Sequence, residues 1–411
     1  MLVAAMRMAA VPTPRRVGEN EGTSCGDLLV CQPPTMTDDD TAIPDLEHVR
    51  GSVRAICKRF PTVYWRETDA ARAFPRDFVD AVAEAGYFGA LIPAADGGLD
   101  AGPEVASVVV EEINRTGGDS AIINAQMAIC GTLVRHGSPD QKARYLPGIA
   151  RGTTRMLTVA ATEPDSGADM THLKSTGRRR GNSWVLNAQK VLVSLVDYTD
   201  LLLLLVTTEE GPTLFLLPLA DYRQRVETHP IDLLANRHTV TLFIDDLEVS
   251  DELRLGPVGQ GLKCLMGGFE VRRVLAAAES VGNARFFLDR SLEHAKVRVT
   301  FGRPIGQNQG VQYPLAQAYA HVEAADLMRW DALRCIRAGS PEAHGRSALA
   351  KILASEAAWE ASRAALTTFG GWGLASEYDI ERKLRDAAVF VFNNMLLSLV
   401  AERVLGLPKA F

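Results

Sequence analysis

SWVLNAQKVLVSL, residues 183–195, decides how this chain is divided. It is the first of four short β-branched and aliphatic runs, followed by DLLLLLVT (200–207), TLFLLPL (213–219) and TVTLFIDDLEVS (239–250). Gly-Asn, Glu-Glu-Gly-Pro and Asp-Asp separate or interrupt these runs, as turns punctuate strands. Residues 155–260 therefore read as a compact all-β domain, a barrel or a sandwich. No strand–helix alternation surrounds them, so a Rossmann domain is not expected.

Both flanks read as helix. In residues 36–154, FPRDFVDAVAEAGYFGAL (74–91) has apolar residues at helical spacing. PEVASVVVEEINRTGG stops on Gly117-Gly118, and Ser138 caps a helix with Asp140 and Gln141 in its first turn. In residues 261–411 four long amphipathic helices are expected, at about 261–298, 309–338, 342–368 and 376–405, broken by FGRPIGQNQG, AGSPEAHG and FGGWGLAS. Four such helices with short connections make a bundle. The expected fold class is α+β: an N-terminal helical domain, a middle β domain and a C-terminal four-helix bundle.

Composition sets the outer bounds. The chain has 411 residues, 47% hydrophobic and 23% charged, with a net charge of −6. Nothing in that balance calls for nucleic acid or an anionic membrane as partner. The apolar run Leu201 to Val206 is far short of a membrane span. Six cysteines, at 25, 31, 57, 130, 264 and 335, form no CxxC pair, which fits reduced cytoplasmic thiols and no metal site. Residues 1–35 are rich in Pro, Gly and polar residues and read as an unstructured leader. Met36, before Thr-Asp-Asp-Asp, is the expected true start.

Four motifs point to a chemistry. ATEPDSGADMTHLKSTG (161–177), NAQKVLVS (187–194), RVTFGRPIGQNQGVQYPLA (298–316) and FGGWG with ERKLRDA (369–373 and 381–387) stand in this order. Order and motifs together resemble the acyl-CoA dehydrogenase superfamily over residues 44–411, and AERVLGLPKAF (401–411) looks like one bacterial branch of it. A flavin needs hydrogen bonds at N5 and its pyrimidine edge, and donors for its pyrophosphate. The resemblance implies FAD as cofactor. Thr162, Gly167, Val193 and Ser194 would lie by the ring system, and Arg298, Phe301, Gln309, Gly370 and Gly371 by the adenine dinucleotide. In the family the last contacts cross a subunit interface, which implies a homodimer or homotetramer.

The resemblance breaks at the base. Removing an α-proton needs a positioned carboxylate. The family places a glutamate either late in the last helix, here Asn394, or directly before an arginine on the first bundle helix, here Arg272 before Arg273. Further departures from the family pattern are Ala168, Leu192 and Thr367. Glu270 lies about 200° round the helix from Arg272, at roughly 3.6 residues per turn, and is expected to face away. Glu279 shares the face of Arg272 two turns on. It reads either as a relocated base or as the partner of a nearby arginine.

Arg272 itself has two readings. One is loss of the base by drift, leaving a non-catalytic protein. The other is an arginine that binds a ligand carboxylate through its planar fork, with Arg273 beside it as a second ligand contact. A β-keto acid that loses CO2 yields an enolate without proton abstraction. Biosynthetic offshoots of the superfamily resemble this: epoxyketone synthases, N-oxygenases, and enzymes acting on carrier-protein-bound acyl groups. The expected activity is therefore oxidation of a non-standard acyl or β-keto-acid substrate, on CoA, on a carrier protein or free, in antibiotic-type biosynthesis. The reoxidant would be an electron-transfer flavoprotein or O2. A conventional acyl-CoA dehydrogenase with a relocated base is the alternative.

Overall fold

The computed structural model describes residues 45–167, 169–170 and 172–409. The leader, Met36, Cys25, Cys31 and Ala168 lie outside the described residues. The described residues form one compact unit.

Among the described residues six helices come first: α1 (Leu46–Lys58), α2 (Thr62–Ala70), α3 (Arg76–Glu84), α4 (Gly102–Arg115), α5 (Ala121–His136) and α6 (Pro139–Ala150). The boundary signals act locally as the sequence implies. Ser138 and Gln141 close a capping box at the start of α6, and Gly117 takes φ +88 just beyond α4.

Eight strands follow: β1 (Thr158–Ala160), β2 (Thr176–Arg180), β3 (Ser183–Ser194), β4 (Leu201–Thr208), β5 (Gly211–Pro218), β6 (Glu227–Ile231), β7 (Thr239–Ser250) and β8 (Arg254–Leu255). A single turn, α7 (Leu219–Tyr222), interrupts them. They form one mixed sheet in the order β6-β7-β3-β2-β4-β5-β8, with β1 parallel to β4. The all-apolar run of β4 is explained by burial on both faces. Leu201, Leu203 and Leu205 pack with Leu133 of α5 and Leu146 of α6, whereas Leu202, Leu204 and Val206 pack with Trp184, Leu186 and Leu242.

The C-terminal region is helical, with α8 (Gly261–Met266), α9 (Phe269–Val297), α10 (Gln309–Arg337), α11 (Ala343–Phe369), α12 (Ile380–Ala388) and α13 (Asn394–Leu399). A small ribbon of β9 (Val299–Thr300) and β10 (Arg303–Pro304) joins α9 to α10. Helix α9 is central, because small residues let its neighbours approach closely. A Cβ on Gly282 would stand 2.3 Å from the Glu111 carbonyl of α4, and Ala354, Ala358 and Ala361 of α11 share its core.

Two expected helices are broken. The stretch 261–298 divides at Gly267-Gly268, where Gly268 takes φ +90, a conformation a side chain rarely adopts. The stretch 376–405 is not one helix. Helix α12 ends at Ala388, and the chain runs non-helically to α13. Lys351 of α11 holds this break open by donating to the Phe390 carbonyl (2.7 Å), the Phe392 carbonyl and Asn393 Oδ1 (2.7 Å). The apolar periodicity there does not mark a buried face, since Phe392 is 80% exposed.

Candidate active site

A cavity of about 1210 Å³ lies among α5, the sheet, α9 and the segment after α12. Strand β3 reaches it through a register shift between Lys190 and Val193. Leu192 sits in that bulge at φ +54, so its side chain turns out of the sheet and lines the cavity. Ser194 and Gly167 line it as well, with the Ser194 hydroxyl 2.9 Å from Thr239 Oγ1. Glu163 and Lys190 fix this wall. Lys190 Nζ, fully buried, donates to Glu163 Oε1 (2.7 Å) and to the Ala161 carbonyl (3.2 Å). Burial works against the Glu163 charge, but hydrogen bonds from Lys190 and the Lys174 and Ser175 N–H groups hold its carboxyl below the usual range.

The break at Gly268 starts α9 so that Arg272, Arg273, Ala276 and Glu279 face the cavity. The Arg272 guanidinium lies over the Phe269 ring, 5.1 Å from its centroid, and makes no ion pair or side-chain hydrogen bond to a described residue. Burial alone lowers its pKa. Arg273 is 8% exposed and donates to the His344 carbonyl (3.3 Å). Glu270 is turned to His344, with Oε1 2.8 Å from Nδ1.

Glu279 is 1% exposed. It accepts a hydrogen bond from Asn124 Nδ2 at Oε2 (3.0 Å), whereas Oε1 has no partner. Burial, with the Asp119 charge, pushes its carboxyl up to about 7, against the pull of Arg237, Asn124 and Lys383. No ion pair to an arginine forms at Glu279 among the described residues, in contrast to one of the two sequence expectations. Nothing in sequence spacing signals this end of the cavity, since Asp119 with Asn124, Arg237, and Asp386 come from three segments far apart in the chain.

The expected cofactor residues fall into separate groups. Gly167 and Ser194 line the main cavity. Val193 is 1% exposed in the sheet core, and the Thr162 carbonyl accepts the Val191 N–H (3.0 Å). Arg298, Gly370 and Gly371 line a second pocket of about 570 Å³, with His294 and Trp372. The glycines leave open space there: a Cβ on either would meet no atom within 4 Å. Arg298 makes no ion pair among the described residues, so a free guanidinium and two open backbone positions fit a pyrophosphate. Gln309, first residue of α10, and Phe301, fully exposed at φ +51, line neither space.

A helical region, a sheet and a second helical region in this order, with a largely apolar cavity between sheet and bundle that also holds charged groups, define a flavin oxidoreductase architecture. Family descriptions match in the same order: acyl-CoA dehydrogenase N-terminal domain over residues 44–153, middle domain over 158–246 and C-terminal domain over 259–405. Acyl-CoA dehydrogenase FadE12 of Mycobacterium tuberculosis is 32% identical over 338 residues, covering 79% of this chain and 87% of that protein. Among solved structures, glutaryl-coenzyme A dehydrogenase in complex with glutaryl-CoA superposes with TM-score 0.84 at 28% identity, covering 91% of this chain and 98% of that one. The prolyl acyl carrier protein oxidase AnaB gives TM-score 0.82 at 26% identity, covering 89% and 99%. The chain belongs to the acyl-CoA dehydrogenase family and is an FAD-dependent oxidoreductase.

Proposed function

We propose that this enzyme oxidises a non-standard acyl or β-keto-acid substrate, free or carried on CoA or a carrier protein, with Arg272 holding the substrate's anionic group. The observation that supports it is the Arg272 guanidinium, directed at the cavity without an anion of its own. Arg272 is half-buried at the cavity wall, where a partly desolvated cation gains from a counter-charge, and a carboxylate fits its fork. By the family resemblance, Arg272 stands where a catalytic glutamate is expected.

Loss of CO2 from a β-keto acid breaks the bond between the α-carbon and the carboxyl group. The electron pair stays on the substrate as an enolate, and no proton has to be removed. Arg272 accelerates that step only if its N–H groups bind the growing enolate oxygen more strongly than the starting carboxylate. Arg273, fixed on His344, would position the same group. FAD, when bound, supplies a two-electron acceptor. A place in specialised-metabolite biosynthesis, antibiotics among the products, and a cytoplasmic location belong to this reading, as does reoxidation by an electron-transfer flavoprotein or O2. The likeness to a carrier-protein oxidase supports it. Two chains are needed to gather the cofactor residues, in a homodimer or homotetramer.

A second reading rests on Glu279, a cavity carboxyl with one free oxygen and a pKa pushed up to about 7, which suits a base for ordinary α,β-dehydrogenation. Two variants separate the readings. Under the first, Arg272→Ala lowers turnover by roughly 100-fold or more, and Arg272→Glu gains oxidation of simple acyl-CoAs. If Glu279→Gln abolishes turnover and Arg272→Ala does not, the second reading is correct.

A further inference from the structure

We propose that the Glu279 end of the cavity is a subsite for a protonated amine on the ligand, set about 10 Å along α9 from Arg272, at roughly 1.5 Å per residue. The placement of a second anchor rests on the reading of Arg272 as the anion site. The subsite itself rests on Glu279.

Glu279 lines the cavity, is 1% exposed, and leaves Oε1 without a partner. An unmet buried acceptor is costly, so a ligand donor placed there recovers that loss. The donors around it are turned to other acceptors, and none reaches Oε1. Asn124 already donates to Oε2. Arg237 bonds Asp119 and Asp386, and Lys383 donates to the Asn114 side chain and the Gly118 carbonyl (2.6 Å).

Charge selects among donors. Ionised Glu279, with Asp119 and Asp386, sets three carboxylates against the two cations Arg237 and Lys383. The next ions out balance as three cations and three carboxylates: Asp379 pairs with Arg382 (3.2 Å) and Arg66 (2.9 Å), and Arg385 pairs with Asp69 (2.6 Å) and Glu381 (3.0 Å). An alcohol satisfies the oxygen but leaves the excess negative charge. An ammonium satisfies both. Burial is the main cause that raises the Glu279 carboxyl, and the Asp119 charge adds to it against Arg237 and Lys383. A ligand with a carboxylate at one end and an amine at the other then spans the cavity with both ends neutralised.

The test is calorimetric titration of the FAD-loaded, full-length protein at pH 8. The probes are octylamine, the ω-amino carboxylates from 4-aminobutanoate to 8-aminooctanoate, and the unsubstituted fatty acid of each matching length from butanoate to octanoate. The best amino acid is expected to bind wild type about tenfold or more tighter than the fatty acid of equal length. Glu279→Gln should erase that preference and leave fatty-acid binding unchanged, which also reports an intact fold. Arg272→Gln should weaken both probes together. The subsite is overturned if wild type shows no preference for any amino acid, if Glu279→Gln keeps the preference, or if no amine-bearing probe binds. If Arg272→Gln changes nothing while octylamine still binds through Glu279, the anion-site reading fails and the subsite stands.

Discussion

Glu279 and Arg272 share one face of α9 and carry opposite problems: a carboxyl whose charge is disfavoured and a guanidinium without an anion. The first has a measurable consequence. The folded value of about 7 lies above the ordinary carboxyl value of 4.5, so the folded state holds this proton more tightly across that interval. Stability falls as pH rises through it, and the penalty is complete above pH 7. Glu279→Gln removes the penalty. The variant is expected to gain about 1–3 kcal/mol over wild type at pH 8 and close to nothing at pH 4, read from denaturant midpoints. An equal gain at both values would contradict the raised pKa. Much of this face was legible from spacing alone, because α9 is regular: Glu270 turns away from Arg272, as roughly 3.6 residues per turn requires. The environment of Glu279 was not. Its burial and its Asn124 partner come from α5, 155 residues away.

Among the elements, the strands read well because β4 is buried on both faces, and a short, wholly apolar run of branched residues suits such a strand. The motif residues Glu163 and Lys190 were visible as members of two separate motifs. Their meeting in one buried pair was not, since it needs β3 folded against the segment after β1. The failures share a cause. Periodicity reports which residues could share a face, but not whether a partner covers that face. Residues 389–393 keep an apolar pattern, yet the lysine of a neighbouring helix takes their carbonyls and the helix stops. Gly267-Gly268 lay in the sequence as a helix stop, and the long apolar stretch around it masked the signal.

Across the molecule as a whole, Gly167 and Ser194 lie at one cavity and Arg298, Gly370 and Gly371 at another. If the second pocket serves the cofactor of another copy, FAD-loaded protein scatters light as a dimer or tetramer. Exposed Phe301 and Leu374, beside that pocket's residues in sequence, would then be covered. A loaded monomer would contradict the shared site. No helix among the described residues is long and apolar enough to cross a membrane. On the proposed reading, an arginine has replaced proton abstraction because the substrate brings its own leaving group. Following flavin bleaching without oxygen, first with simple acyl-CoAs and then with β-keto acids, puts that replacement to the test. Simple acyl-CoAs are expected to cause no bleaching, and β-keto acids to bleach the flavin with release of CO2. Bleaching by a plain acyl-CoA would contradict the reading and point to a working base.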